Sequence, residues 1–192
     1  MNYHNITHDD MQNGEGLRTV LWVAGCSHHC KGCQNPSTWD PEGGIYFDED
    51  AWNELFDALD KDYCSGLTLS GGDPLHPFNM MMVSNIVEQF RLRYKFGNKT
   101  IWVYTGYTMD ELKERRKRES ALLSYILENV DVIVDGPYIE EQRNIHRLWC
   151  GSENQRIWRR MTSGWIADAP EYEKSLNELN IDEQHVKECG CE

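Results

Sequence analysis

TVLWVAGCSHHCKGCQNPSTW, residues 19–39, is the stretch on which the reading of this chain turns. Residues 19–24 are apolar or β-branched and read as a β-strand. The strand runs straight into a loop that carries Cys26, Cys30 and Cys33 in a C-x3-C-x2-C array. Gly25 and Gly32 supply backbone freedom at the two ends of that curl. Three closely spaced thiols suit a four-iron cube, which spreads its sulfur ligands around a compact cluster. A cube held entirely by protein takes four cysteines and mostly carries electrons. With three, one iron is left for a substrate, as a catalytic zinc keeps an open position. Spacing alone leaves a structural zinc knot open as well. Zinc would recruit a fourth ligand, for which His28, His29 or Cys64 could serve.

Outward from this loop, strand and helix patterns alternate. Residues 48–61 place Ala51, Trp52, Leu55, Phe56 and Leu59 at helical spacing, with Asp48 as N-cap. A strand at 66–70 ends in Gly71-Gly72-Asp73-Pro74, where a ligand could approach the backbone and a carboxylate could meet a cationic group. A tight turn capped by Asp-Pro is the plain alternative. A helix over 77–96 leads to a strand at 100–104 and then to Thr105-Gly106-Tyr107. A mostly helical stretch over 109–128, with a solvated ERRKRE run, leads to a fourth strand at 130–134 that ends in Asp135-Gly136-Pro137. Asp135 could accept from a ribose or an ammonium, or merely cap a turn. A last strand is expected at 145–150, followed by Gly-Ser-Glu-Asn-Gln-Arg at 151–156, a hexad that reads equally as a turn or a ligand contact. Residues 1–12 read as a lead-in. Such alternation implies parallel strands joined by crossovers. The candidate residues all fall just past strand ends, the face on which parallel barrels build their sites. With 192 residues the chain is too short for eight βα units. The expected fold is therefore α/β, an open partial (βα) barrel with mostly parallel strands.

The longer string GC-x-H-x-C-x-GC-x-N-x-x-TW, with SGGDPLHP at 70–77 and WVYTGY at 102–107, resembles a known family in order and interval. The cysteine array is that of the radical S-adenosylmethionine (SAM) enzymes, and the three strings together resemble the activating components of anaerobic ribonucleotide reductases. The resemblance implies a [4Fe-4S] cluster on Cys26, Cys30 and Cys33, with SAM chelating the open iron. It implies SAM contacts at Gly32, Cys33 and Gln34 for the adenine, and at Gly71, Gly72 and Asp73 for the methionine end. Further contacts are implied at Thr105 and Asp135. The implied activity is reductive cleavage of SAM and formation of a glycyl radical on the large reductase subunit, with electrons from a flavodoxin-like low-potential donor. Activation of pyruvate formate-lyase is the nearest competing reading. The chain departs from the family at Glu15, where a proline usually stands between the glycines of the turn before Arg18, and at Cys150, where arginine is frequent. Many radical SAM enzymes have an aromatic where Gly32 stands; this family shares the glycine.

Composition bounds the rest. A formal net charge of −13 without a basic stripe argues against nucleic acid. No run of about 18 apolar residues argues for a membrane span. Seven cysteines are an odd number and are not spaced as a disulfide framework, which fits a reducing cytoplasm. The expected organisation is one radical SAM domain over 1–160 and a polar extension over 161–192, with a short helix at 175–186. Cys189 and Cys191 read as part of a frayed terminus, with redox or metal contact as the alternative.

Overall fold

A computed structural model describes residues 1–118 and 121–168. It is an α/β structure whose eight strands form a single mixed sheet, with four α-helices among the described residues. The strands are β1 (Asn2–Asp10), β2 (Arg18–Val23), β3 (Ile45–Tyr46), β4 (Gly66–Gly71), β5 (Thr100–Tyr104), β6 (Val132–Asp135), β7 (Arg156–Met161) and β8 (Gly164–Ala167). The helices are α1 (Glu49–Leu59), α2 (Pro77–Arg93), α3 (Met109–Arg118) and α4 (Ala121–Asn129). Spatial order is β3-β1-β2-β4-β5-β6-β7-β8.

Only the middle of the sheet, β2-β4-β5-β6, is parallel. Both flanks are antiparallel, so the expectation of mostly parallel strands holds for the centre alone. The physical reason is that the flanking strands join their neighbours through connections that contain no crossover helix. Residues 1–12, read as a lead-in, hold β1, which buries Tyr3 and Ile6 and pairs with β2. Register shifts between Tyr3 and Asn5 and between Thr7 and Asp10 break its period-two pattern and hide it from sequence reading. The strand expected at 145–150 is a run of turns instead. The chain returns to the sheet only at β7, whose hairpin with β8 carries the sheet through Ala167. The expected helix at 175–186, Cys189 and Cys191 lie outside the described residues.

Strand side chains alternate between two faces. Leu21, Val23, Leu67, Leu69, Ile101, Val103 and Ile133 share one core with apolar residues of all four helices, among them Leu55, Val83, Leu112 and Ile126. Trp102, Val132 and Val134 point the other way and pack with Cys150 and Ile157 in a smaller cluster. The helices thus cover one face, and on the opposite face Trp149 and Cys150 of the loop before β7 pack over the smaller cluster. Asp48 caps α1 as expected, accepting from the Ala51 amide at 3.0 Å. Pro77 stands at the start of α2, where its missing N–H costs nothing.

Candidate iron–sulfur centre

The loop after β2 is held at both ends. Gly25 N–H donates to the Thr38 carbonyl at 2.8 Å, and Cys26 N–H donates to that of Trp39 at 3.0 Å. Inside it, Cys33 N–H donates to the Cys30 carbonyl at 3.1 Å. All three sulfurs line one cavity of about 400 Å³ at the carboxyl edge of the parallel strands, with Gly71, Gly72, Thr105 and Tyr138 on its other walls. Each sulfur meets a backbone donor. The amides of His28 and His29 face Cys26, that of Tyr138 faces Cys30, and Asn35 N–H donates to the Cys33 sulfur at 3.4 Å. A neutral thiol is a weak acceptor, whereas a thiolate ligand gains from such donors. Burial pushes the Cys26 thiol up to about 11 and raises that of Cys30, against the pull of these amides. A raised pKa makes Cys26 and Cys30 poor free thiolate nucleophiles.

Among the described residues no three His, Cys, Asp or Glu side chains converge to seat one metal ion. A zinc knot would bring every sulfur about 2.3 Å from one centre, whereas a cube would give each thiolate its own iron. Of the fourth ligands open to zinc, His28 lines the cavity with the three cysteines, whereas His29 and Cys64 do not. Cys64 is buried before β4, at the amino end of the strands, against Gly66 O and Thr19 Oγ1. His28 Nε2 is 2.8 Å from Asp73 Oδ2, and His29 packs its ring on Trp39 with centroids 4.8 Å apart. Cys150 lines the same cavity as the three cysteines, on the far loop.

Asp73 ties three loops together. Its buried carboxylate accepts from the Leu75 amide at 2.8 Å, from Thr105 Oγ1 at 3.0 Å and from the Gly106 amide at 3.1 Å, besides its contact with His28. These donors all come from the protein itself, onto the carboxylate expected to meet a cationic ligand. Gly106 has to be glycine, because a Cβ would lie 2.4 Å from His28 Cδ2. Gly72 is likewise crowded, its Cβ position 2.7 Å from Gly25 O, so backbone packing explains it without a ligand. The amide of Asn79 on α2, a residue sequence reading passed over, is buried and donates to the carbonyls of Ala24 and Asp73, both at 2.9 Å. Its only sequence signal was a polar side chain on an otherwise apolar helix face.

The other expected residues divide. Cys33, Gln34, Gly71, Gly72 and Thr105 line the cavity. Gly32 faces the segment after β6, where a Cβ would meet Glu140 Oε2 at 1.9 Å and Tyr138 Cε1 at 3.3 Å. Asp135 is fully buried and accepts from the first amide of α3, Met109, at 2.6 Å, and from Arg156 Nη2 at 2.7 Å. It caps a helix and joins β6 to β7. Tyr104, Tyr138 and Trp149 also line the cavity and were not singled out beforehand. Trp149 holds φ at +58°, a strained value for a bulky residue, with its indole edge-on to Trp102 at 5.0 Å.

A family model described as a 4Fe-4S single cluster domain matches residues 12–158. A protein of Enterobacteria phage T4 is 42% identical over 168 residues, spanning 88% of this chain and 100% of its own length. Proteins of Haemophilus influenzae (42% identical) and Escherichia coli (37%) match over 83% and 82% of this chain and over 98% and 97% of their own. All three are named anaerobic ribonucleoside-triphosphate reductase-activating protein.

Proposed function

Because the chain belongs to the anaerobic ribonucleoside-triphosphate reductase-activating proteins, with their single 4Fe-4S cluster domain, we propose that it is a radical SAM oxidoreductase that activates the large subunit of an anaerobic ribonucleotide reductase. Cys26, Cys30 and Cys33 would hold a [4Fe-4S] cluster and leave one iron for the amino and carboxylate groups of SAM. When bound, the cluster and SAM would supply one-electron cleavage of the sulfonium into methionine and a 5′-deoxyadenosyl radical able to take hydrogen from a glycine Cα of the partner.

The chain's own residues position and insulate. Backbone amides on each sulfur favour the thiolate form. The Asp73–His28 contact fixes the cysteine loop against the loops after β4 and β5. Gly71 and Gly72, which border the cavity, would meet the methionine end; Cys33 and Gln34 there, with Gly32 beside them, would meet the adenine; Thr105 would add a further contact. Asp73 and Asp135 serve that ligand through the loops they hold. Helices on one face and a cavity on the other support the reading as an open partial barrel, whose open side would admit the partner's glycine loop. A flavodoxin-like low-potential donor would supply the electron, in the reducing cytoplasm that such a cluster requires. Among the described residues no helix is long and apolar enough to cross a membrane.

The observation that carries the reading is the set of three donor-met sulfurs at the carboxyl edge of parallel strands. The test is anaerobic reconstitution with iron and sulfide, then reduction with SAM and the large reductase subunit. Release of 5′-deoxyadenosine and a radical signal on the reductase are expected; absence of both refutes the proposal.

A further inference from the structure

Residues 151–155, Gly-Ser-Glu-Asn-Gln, of which Gly151 and Gln155 line the cavity, hold the segment that covers it. Gln155 Nε2 donates to the Gly136 carbonyl at 3.1 Å, and Asn154 Nδ2 donates to that of Pro137 at 2.7 Å. The Ile139 amide donates to Ser152 Oγ at 3.2 Å, and the Glu153 amide to the Gln142 carbonyl at 2.9 Å. The motif also braces itself: Ser152 Oγ donates to Asn154 Oδ1 at 2.7 Å, and Gln155 Oε1 accepts from the amides of Gly151 and Ser152 at 2.7 and 3.2 Å. Ser152 is fully buried. Four consecutive side chains or amides thus grip the backbone of residues 136–142. Between these grips sits Tyr138. Its amide faces the Cys30 sulfur, and its ring lies within van der Waals reach of both the Gly32 and Gly151 Cβ positions.

We infer that this motif is a positioning clamp, which sets the strap after β6 so that the Tyr138 amide donates to the Cys30 thiolate. The inference rests on the proposed cluster reading. Gly151 and Gln155 also line the cavity, whereas Ser152, Glu153 and Asn154 act on it only through the strap and Tyr138. A donor on a ligand sulfur stabilises the more negative, reduced cluster, so losing it lowers the midpoint potential.

The experiment compares wild type with Asn154→Ala and the milder Asn154→Asp, which keeps the acceptor for Ser152 but loses the donor to Pro137, at a residue outside the cavity lining. Hydrogen exchange is measured on each protein, and the potential and spin-resonance spectrum on each reconstituted cluster. The expected result is exchange of the Tyr138 and Ile139 amides at least tenfold faster, unchanged exchange in α1, a lower potential and an altered spectrum. Asn154→Asp gives the smaller change and covers the case in which the alanine variant does not fold. Unchanged exchange in residues 136–142 overturns the clamp. Faster exchange with an unchanged potential and spectrum overturns its link to the cluster. Wild-type protein that takes up no iron, while residues 136–142 remain protected, sinks the proposed function rather than the clamp.

Discussion

Asp73 shows how much of the site rests on one side chain. Removing its carboxylate strands the amides of Leu75 and Gly106, the Thr105 hydroxyl and the His28 imidazole together. One stranded buried donor costs about 1–3 kcal/mol. Asp73→Ala is therefore expected to lose about 3 kcal/mol or more in denaturant unfolding, and Asp73→Asn less. A loss below about 1 kcal/mol would reject the hub. The cysteines give a separate prediction. Cys26→Ser, Cys30→Ser or Cys33→Ser should each lose most of the iron bound on reconstitution, whereas Cys64→Ser, at the far end of the strands, should keep it; iron and sulfide analysis decides. The cysteine array was legible because its meaning lies in spacing along the chain. The partners of Asp73 were not, because His28 stands 45 residues away and Thr105 stands 32 away, and only the sheet brings them together.

Among the elements, α3 is tied down at its start by two devices. Thr108 and Glu111 form a reciprocal pair: the Thr108 amide donates to Glu111 Oε2 at 2.7 Å, and the Glu111 amide donates to Thr108 Oγ1 at 3.3 Å. Asp135 accepts the next amide from outside the helix. Thr108→Ala should cost about 1 kcal/mol in thermal or denaturant unfolding. The backbone and hydroxyl bonds from Thr108 hold the Glu111 carboxyl below its ordinary value. A lowered native pKa stabilises above the unfolded value and is lost as pH falls through the native one. The stability gap between wild type and Glu111→Gln should thus be full above the ordinary glutamate pKa of about 4.3 and shrink below it. A gap that grows with acidity would contradict the pairing. The central strands were readable as apolar runs bounded by turn residues. The strand β7 was not, because its arginines look solvated in sequence; here Arg156 meets Asp135, Arg159 meets Asp168 and Glu15, and Arg160 meets the Val130 carbonyl.

For the molecule as a whole, the antiparallel flanks are structural parts of the sheet. β1 buries Tyr3 and Ile6, and the Asn2 carbonyl accepts from Ala24 at 2.9 Å, one residue short of the cysteine loop. Deleting residues 1–12 should abolish soluble, cooperatively melting protein, as followed by yield and circular dichroism; a clean melt at the original midpoint would show β1 to be dispensable. The alternation of strand and helix disclosed the α/β class and the edge on which the candidate site lies. It could not disclose the flanks, where no helix separates one strand from the next. The donors that meet the three sulfurs carry a message about biogenesis. A nascent chain made only as far as Trp39 already has every thiol, but the amide that faces Cys30 arrives with Tyr138, and the motif that steadies it comes later still. Cys26 and Cys33 meet their amides within the loop itself, so Cys30 is the one sulfur whose donor set is completed only when the chain has been made through the strap.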